Sequence, residues 1–246
     1  MAKASKNQDR RAVLEQMRRE QQAAEKKRTA MIIAGAGLVG LLIIGAAAYP
    51  LISDTLTQSE LAKKELAALG ASAEAAGCTD VQAKEATGSA DHREPGSDLP
   101  YVDSPPATGP HYPTWADISR KFYTAQERPD LGLLVHNLEH GYNILWYDET
   151  IADDAEKVAD VEAIARKFEG TDFEDKFIAA PWTAEDGEPF PDGAHVALTH
   201  WSMGGTNGNP EGQHGITQYC EAPSGEAVAE FVEQYPYTDS PEPGAM

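Results

Sequence analysis

The sequence predicts an α+β fold: a small mixed extracytoplasmic domain behind a single N-terminal transmembrane helix. Three observations lead there. Thr29 to Ser53 is a run of 25 residues without a charged side chain, rich in Ile, Leu, Val, Gly and Ala, and at about 1.5 Å per residue it is long enough to cross a bilayer. Beyond it, short β-favouring runs and amphipathic stretches mingle without regular βαβ alternation, which favours α+β over a doubly wound sheet. The only two cysteines, Cys78 and Cys220, both lie on the far side of the apolar run.

Residues 1–28 carry nine Lys/Arg and four Asp/Glu, and the rest of the chain carries 11 basic against 36 acidic side chains, so a basic arm precedes a body of net charge near −25. An acidic body repels phosphate backbones and excludes a nucleic-acid role. Lys26, Lys27 and Arg28 before the span and Asp54 after it place the N-terminus in the cytoplasm and the body outside. A cleaved secretory signal, with Ala46 to Ala48 as its small-residue site, is the competing reading, but the basic arm and apolar run are long for one. Residues 8–28 are strong helix formers with Glu15 and Arg19 at i, i+4 and read as a solvated cytoplasmic helix. Outside the cell thiols tend to be oxidised, so Cys78 and Cys220 are expected to form a disulfide.

Residues 54–77 read as a juxtamembrane helix, Gln58 to Leu69, and the start of a linker whose Gly, Ala, Ser, Asp and Glu composition continues to Pro100. The extracytoplasmic domain is placed at 78–237. Within it, Leu131 to His136 and Tyr142 to Tyr147 read as two strands of a hairpin. Asp153 to Phe168 is an amphipathic helix with acidic residues in its first turn and Gly170 beyond its end. Lys176 to Trp182 and His195 to Trp201 are further strands, Ser202 to Gly215 is a flexible Gly-rich stretch, and Gly225 to Gln234 is a closing helix. Residues 238–246 form a Pro-rich acidic tail without the apolar content to order itself.

All seven histidines lie in the outer body. His111 ends the turn Pro105 to His111, where Pro105, Pro106 and Gly109 rigidify the chain and aim a side chain. His136, Asn137, Leu138, Glu139 and His140 fit H-x-x-E-H, which in inverzincin peptidases lies on a helix so that both histidines reach one zinc. The strand-like flanks argue against that helix. A metal site of His111, His136 and His140 needs none, and His200 with Met203 would add imidazole and thioether donors, favouring copper over zinc if they joined it. The alternative is that Asn137, Glu139 and the histidines hydrogen-bond one another and the Gly141 turn. No G-x-S-x-G elbow is present, and Gly204 to Gly208 lacks the spacing and lysine of a phosphate loop. The tryptophans read as core and rim packing.

The span, Tyr101, the PPATGPH turn, VHNLEHGYNILWY, the cysteine before the last helix and the Pro-Glu ending resemble the bacterial, largely actinobacterial, DUF3105 family over roughly Cys78 to the C-terminus. The matching positions are Pro105, Pro106, Gly109, His111, His136, Asn137, Glu139, His140 and Gly141. The resemblance implies anchoring outside the membrane and carries no established catalytic role. Thr199 to Gly204 departs from the Ala-Trp-Gly-like segment usual there, so a metal role for His200 and Met203 would be particular to this chain. Two functions are expected: an accessory or binding subunit of a larger envelope or respiratory (cytochrome) complex, or a copper- or zinc-binding ectodomain, at the extreme a metal-dependent hydrolase.

Overall fold

The computed structural model describes residues 2–204 and 211–245 and divides into two compact units, Met1–Leu56 and Thr57–Met246. The first is helical and belongs to α1 (Ala2–Leu61). Within it, Leu14–Tyr49 is long and apolar enough to cross a membrane, and Ile32, Ile33, Leu41, Leu42, Ile43 and Ile44 are all exposed. Glu15 and Arg19 pair at 2.8 Å, an exposed contact of little energetic weight.

The second unit is built on a five-stranded sheet, β1 (Gln82–Glu85), β2 (Asn143–Tyr147), β3 (Phe177–Pro181), β4 (Val196–Gly204) and β5 (Glu211–Cys220), in the order β1-β5-β4-β2-β3. Among the described strands only β2 and β3 run parallel, and the chain between them includes α3 (Glu149–Ala152) and α4 (Ala155–Arg166). Asp148 and Asp154 cap these helices by accepting from the first-turn amides. One face of the sheet packs Leu145, Phe177, Leu198 and Ile216 with Val161 and Ile164 of α4 and with Val228 and Phe231 of α5 (Gly225–Gln234). The other packs Ile144, Trp146, Ile178 and Trp201 with α2 (Leu131–Glu139). A strand covered on both faces is apolar throughout instead of alternating, which is why all five residues of β2 are buried.

Four expectations are corrected here. Leu131 to His136 is helix, so the hairpin with Tyr142 to Tyr147 does not exist: β2 pairs with β3 and β4. Leu131, Leu134, Val135 and Leu138 stand at i, i+3, i+4 and i+7 and pack on the sheet face, the stripe of an amphipathic helix. The stretch expected as linker is folded. The compact unit begins at Thr57; α1 runs to Leu61, followed by one 3-10 turn at Leu66–Ala68, so no helix covers Gln58 to Leu69. Within that stretch β1 pairs with β5, and His92 bridges His111. Of the Gly-rich Ser202 to Gly215, the described residues are strand, ending β4 and opening β5, and residues 205–210 lie outside the described residues.

The tail at 238–246 is also ordered as far as Ala245. Asp239 and Ser240 are 3% and 2% exposed, and the Asp239 carboxylate accepts from Ser202 Oγ at 2.6 Å and from the Gly204 amide at 3.1 Å. Cys78 and Cys220 are bonded, with an S–S distance of 2.07 Å, and this bond ties the segment before β1 to the end of β5.

Candidate metal centre

Helix α2 presents its last turn to the site. With Leu134, Val135 and Leu138 committed to the sheet, 3.6 residues per turn leave His136 and His140 on one flank and Glu139 beside them, and all three are at most 4% exposed. The helix ends at Gly141, whose φ of +93° is a left-handed cap suited to glycine. A Cβ there would lie 2.5 Å from the Tyr237 carbonyl oxygen and 2.7 Å from Ser240 Oγ. Asn137 faces the other way and clasps the backbone of Ala116, accepting from its amide at 2.9 Å and donating to its carbonyl at 3.4 Å.

His111 comes from the proline turn. Pro105 and Pro106 are buried, Tyr219 donates to the Ser104 carbonyl and Tyr101 to the Pro110 carbonyl, both at 2.7 Å, and Gly109 adopts φ +146° against the Tyr101 ring. His92 is held opposite by a two-way bridge: the Arg93 amide donates to the His111 carbonyl at 2.7 Å and the His111 amide to the Asp91 carbonyl at 3.1 Å.

Backbone carbonyls fix the tautomers. His136 Nδ1 lies 2.5 Å from the Tyr112 carbonyl oxygen and His111 Nδ1 lies 2.9 Å from that of Gly109. A carbonyl only accepts, so both Nδ1 atoms carry the proton and both Nε2 lone pairs face inward, the arrangement that orients imidazole ligands in metal sites. One donor atom each from His92, His111, His136 and Glu139 lies within 4.8 Å of all the others. Glu139 Oε1 accepts from the Ala90 amide at 2.8 Å, leaving Oε2 inward. Oε2 lies 2.8 Å from His111 Nε2, a buried ion-pair contact when the ring is protonated. A cation there would take the place of the proton shared by two donors that already converge. His92 Nε2 stands 3.9 Å from the same oxygen, on the exposed side, and its ring stacks on His136 at 5.2 Å.

His140 Nε2 lies 2.8 Å from His136 Nε2. Because His136 already spends its proton on Tyr112, His140 is the donor, and its Nδ1 is left buried without a partner. Trp115, 44% exposed, closes the mouth with its ring 4.9 Å from that of His140 and 5.4 Å from that of His136. Burial, reinforced by the neighbouring His136, holds the His140 imidazole down at about 4, and burial likewise lowers His136. At His111 burial opposes protonation, yet the Glu139 carboxylate and the Gly109 carbonyl outweigh it and raise the ring. At Glu139 burial opposes ionisation, but His111 and the Ala90 amide prevail and lower it.

Of the five expected metal-binding residues, the structure therefore brings together His111, His136 and His140, and it separates the other two. Alternation along β4 turns Trp201 toward the site, its ring 5.9 Å from His111, and sends His200 to the opposite face. There His200 is fully buried between the Tyr142 and Asp239 carbonyls, at 3.3 and 2.7 Å, and burial lowers its pKa. Met203 is 41% exposed near the end of β4. The soft-donor argument for copper falls with them. Two donors were missed: Glu139, read as a turn residue, and His92, hidden in a supposed linker. Three imidazoles and a carboxylate suit zinc or another borderline divalent ion such as Cu(II), and no thiolate competes, both cysteines being disulfide-bonded.

No curated protein and no solved structure matches the chain. Residues 92–246, a stretch that opens on His92 and includes every donor above, match the model of the family described as Protein of unknown function (DUF3105), and the chain belongs to that family.

Proposed function

We propose that this protein is a single-pass, membrane-anchored metal-binding protein, its outer domain holding one divalent ion, zinc or copper(II), on His92, His111, His136 and Glu139. The observation that carries the reading is the convergence of four donor atoms within 4.8 Å, with both buried imidazoles locked from behind by carbonyls. A tetrahedral ion with bonds near 2.0 to 2.1 Å spaces its ligands about 3.4 Å apart, so side-chain adjustments of about 1 Å would complete the centre. The exposed apolar helix and its basic flank support anchoring with the N-terminus inside and the domain outside, where the disulfide is at home. Tethered there, with a net charge near −25, the domain is suited to work as an accessory subunit of an envelope or respiratory complex. The metal centre is then what it contributes.

The helical setting of His136, Glu139 and His140 favours a second reading, metal-dependent hydrolysis. Against it, Glu139 is engaged by the Ala90 amide and turned on His111, the posture of a ligand more than of a base that activates water. Calorimetric titration of full-length, chelator-treated protein with Zn²⁺ and Cu²⁺ tests the binding reading. One equivalent should bind to the wild type, and His111→Ala or Glu139→Gln should weaken binding at least about tenfold, as loss of a ligand does. Equal binding by both variants would contradict it.

A further inference from the structure

The C-terminal segment is held against the site at a cost that packing alone does not explain. Lys176 is 4% exposed and meets no carboxylate among the described residues: its ammonium donates to the carbonyls of His140 at 2.7 Å, Pro243 at 3.0 Å and Ala245 at 2.7 Å, over the rings of Phe173 and Tyr237. Burying an ammonium is expensive even when its hydrogen bonds are met, and this one staples the last residues of the chain to the last turn of α2. Gly141 permits the close approach of Tyr237 and Ser240, and the Glu242 amide donates to the Glu139 carbonyl at 3.0 Å. The outcome is the placement of one side chain. The Glu242 carboxylate, half exposed, stands 3.5 Å from His140 Nε2, which stands 2.8 Å from His136 Nε2.

We propose that Glu242 and His140 form an uptake position through which a divalent ion passes from solvent to the inner centre, an inference that rests on the metal-binding reading above. The steps of the series Glu242, His140, His136, at 3.5 and 2.8 Å, are close to or within the roughly 3.4 Å between two ligands of one ion. The ion can therefore hold its next ligand before releasing the last. The order of donors also fits. An exposed carboxylate captures a hydrated cation, which the acidic body concentrates, and buried imidazoles then replace its water. His140 needs no place among the four inner ligands to be essential to filling them, and its partnerless Nδ1 can take the proton that Nε2 gives up on meeting the ion.

Stopped-flow mixing of full-length, metal-free protein with Cu²⁺ tests the proposal, with quenching of the Trp115 indole beside His140 as the signal and elemental analysis as the endpoint. Glu242→Gln should slow uptake roughly tenfold, within the range by which local charge changes association rates, and should still reach the wild-type stoichiometry. Glu233→Gln, which removes the same charge from the exposed face of α5, should leave the rate unchanged. Equal rates in wild type and Glu242→Gln would overturn the proposal, as would equal slowing by Glu233→Gln. Loss of metal stoichiometry in Glu242→Gln would also overturn it, because Glu242 would then be a resident ligand. A wild type that takes up no ion would overturn the metal reading itself.

Discussion

The two faces of the sheet are built to different ends. Under α4 and α5 the contact is aliphatic and aromatic, with Val161, Ile164, Val228 and Phe231 on Leu145, Phe177 and Leu198, and the Cys78 to Cys220 bond at its edge. Under α2 an apolar layer of Leu134, Leu138, Trp146 and Trp201 is roofed by buried imidazoles and a carboxylate, with His140 Nδ1 left unpartnered. Unsatisfied buried polar atoms cost stability, so the α2 face gives up what the α4/α5 face accumulates. The comparison teaches that one side of the sheet holds the domain together while the other spends that stability on a centre for a ligand.

If so, the largest losses of stability should come from the first face and leave the second's chemistry alone. Reducing the Cys78 to Cys220 bond, which closes a loop with a sequence separation of 142, should cost about 4 to 5 kcal/mol by the loop-entropy relation. Denaturant unfolding with and without reductant measures it. Ile164→Ala, at a fully buried position, should cost about 3 kcal/mol with metal affinity unchanged by titration. A large affinity loss from this variant would break the division between the faces.

The α2 face should instead be sensitive to pH. The folded His140 sits at about 4 against an ordinary 6.5, so as pH falls the unfolded chain takes up the proton first. The associated stability is complete above about 6.5 and is lost as pH falls toward 4. His136 and His200 add in the same direction, and His111, raised, opposes them. Metal-free protein should lose about 2 kcal/mol between about pH 7.5 and 5 from His140, read from denaturation midpoints, and bound metal should reduce the loss by excluding protons from the ligands. The smallest effect is expected from His140→Leu. It removes an unpartnered Nδ1 together with one hydrogen bond to His136, so the metal-free protein should change by less than about 1 kcal/mol.

Much of the domain was readable in the chain because the relevant signals are local. Capping aspartates and a 3.6-residue stripe mark α4, a charge-free run marks the apolar helix, and two cysteines outside it allow one bond. What failed was short-range ambiguity and long-range placement. LGLLV has the composition of a strand, and only by following its stripe through Leu138 does the helical period emerge. His92 and Glu242 sit in segments whose composition resembles linker and tail, and they reach the site because the flanking Asp91 and Arg93 bond the backbone of His111 and Glu242 bonds that of Glu139, partners distant in the sequence. His200 is the converse case: adjacent in pattern to Trp201, it is carried to the other face by the pleat.

The most direct test of the account is elemental analysis of full-length protein purified without a polyhistidine tag from cells grown in ordinary trace metals, beside a His111→Ala, His136→Ala double variant. Near-stoichiometric zinc or copper in the wild type, absent from a variant that retains its disulfide and helical content, is the predicted result. A folded wild type that carries no metal and takes none up on titration would contradict the centre.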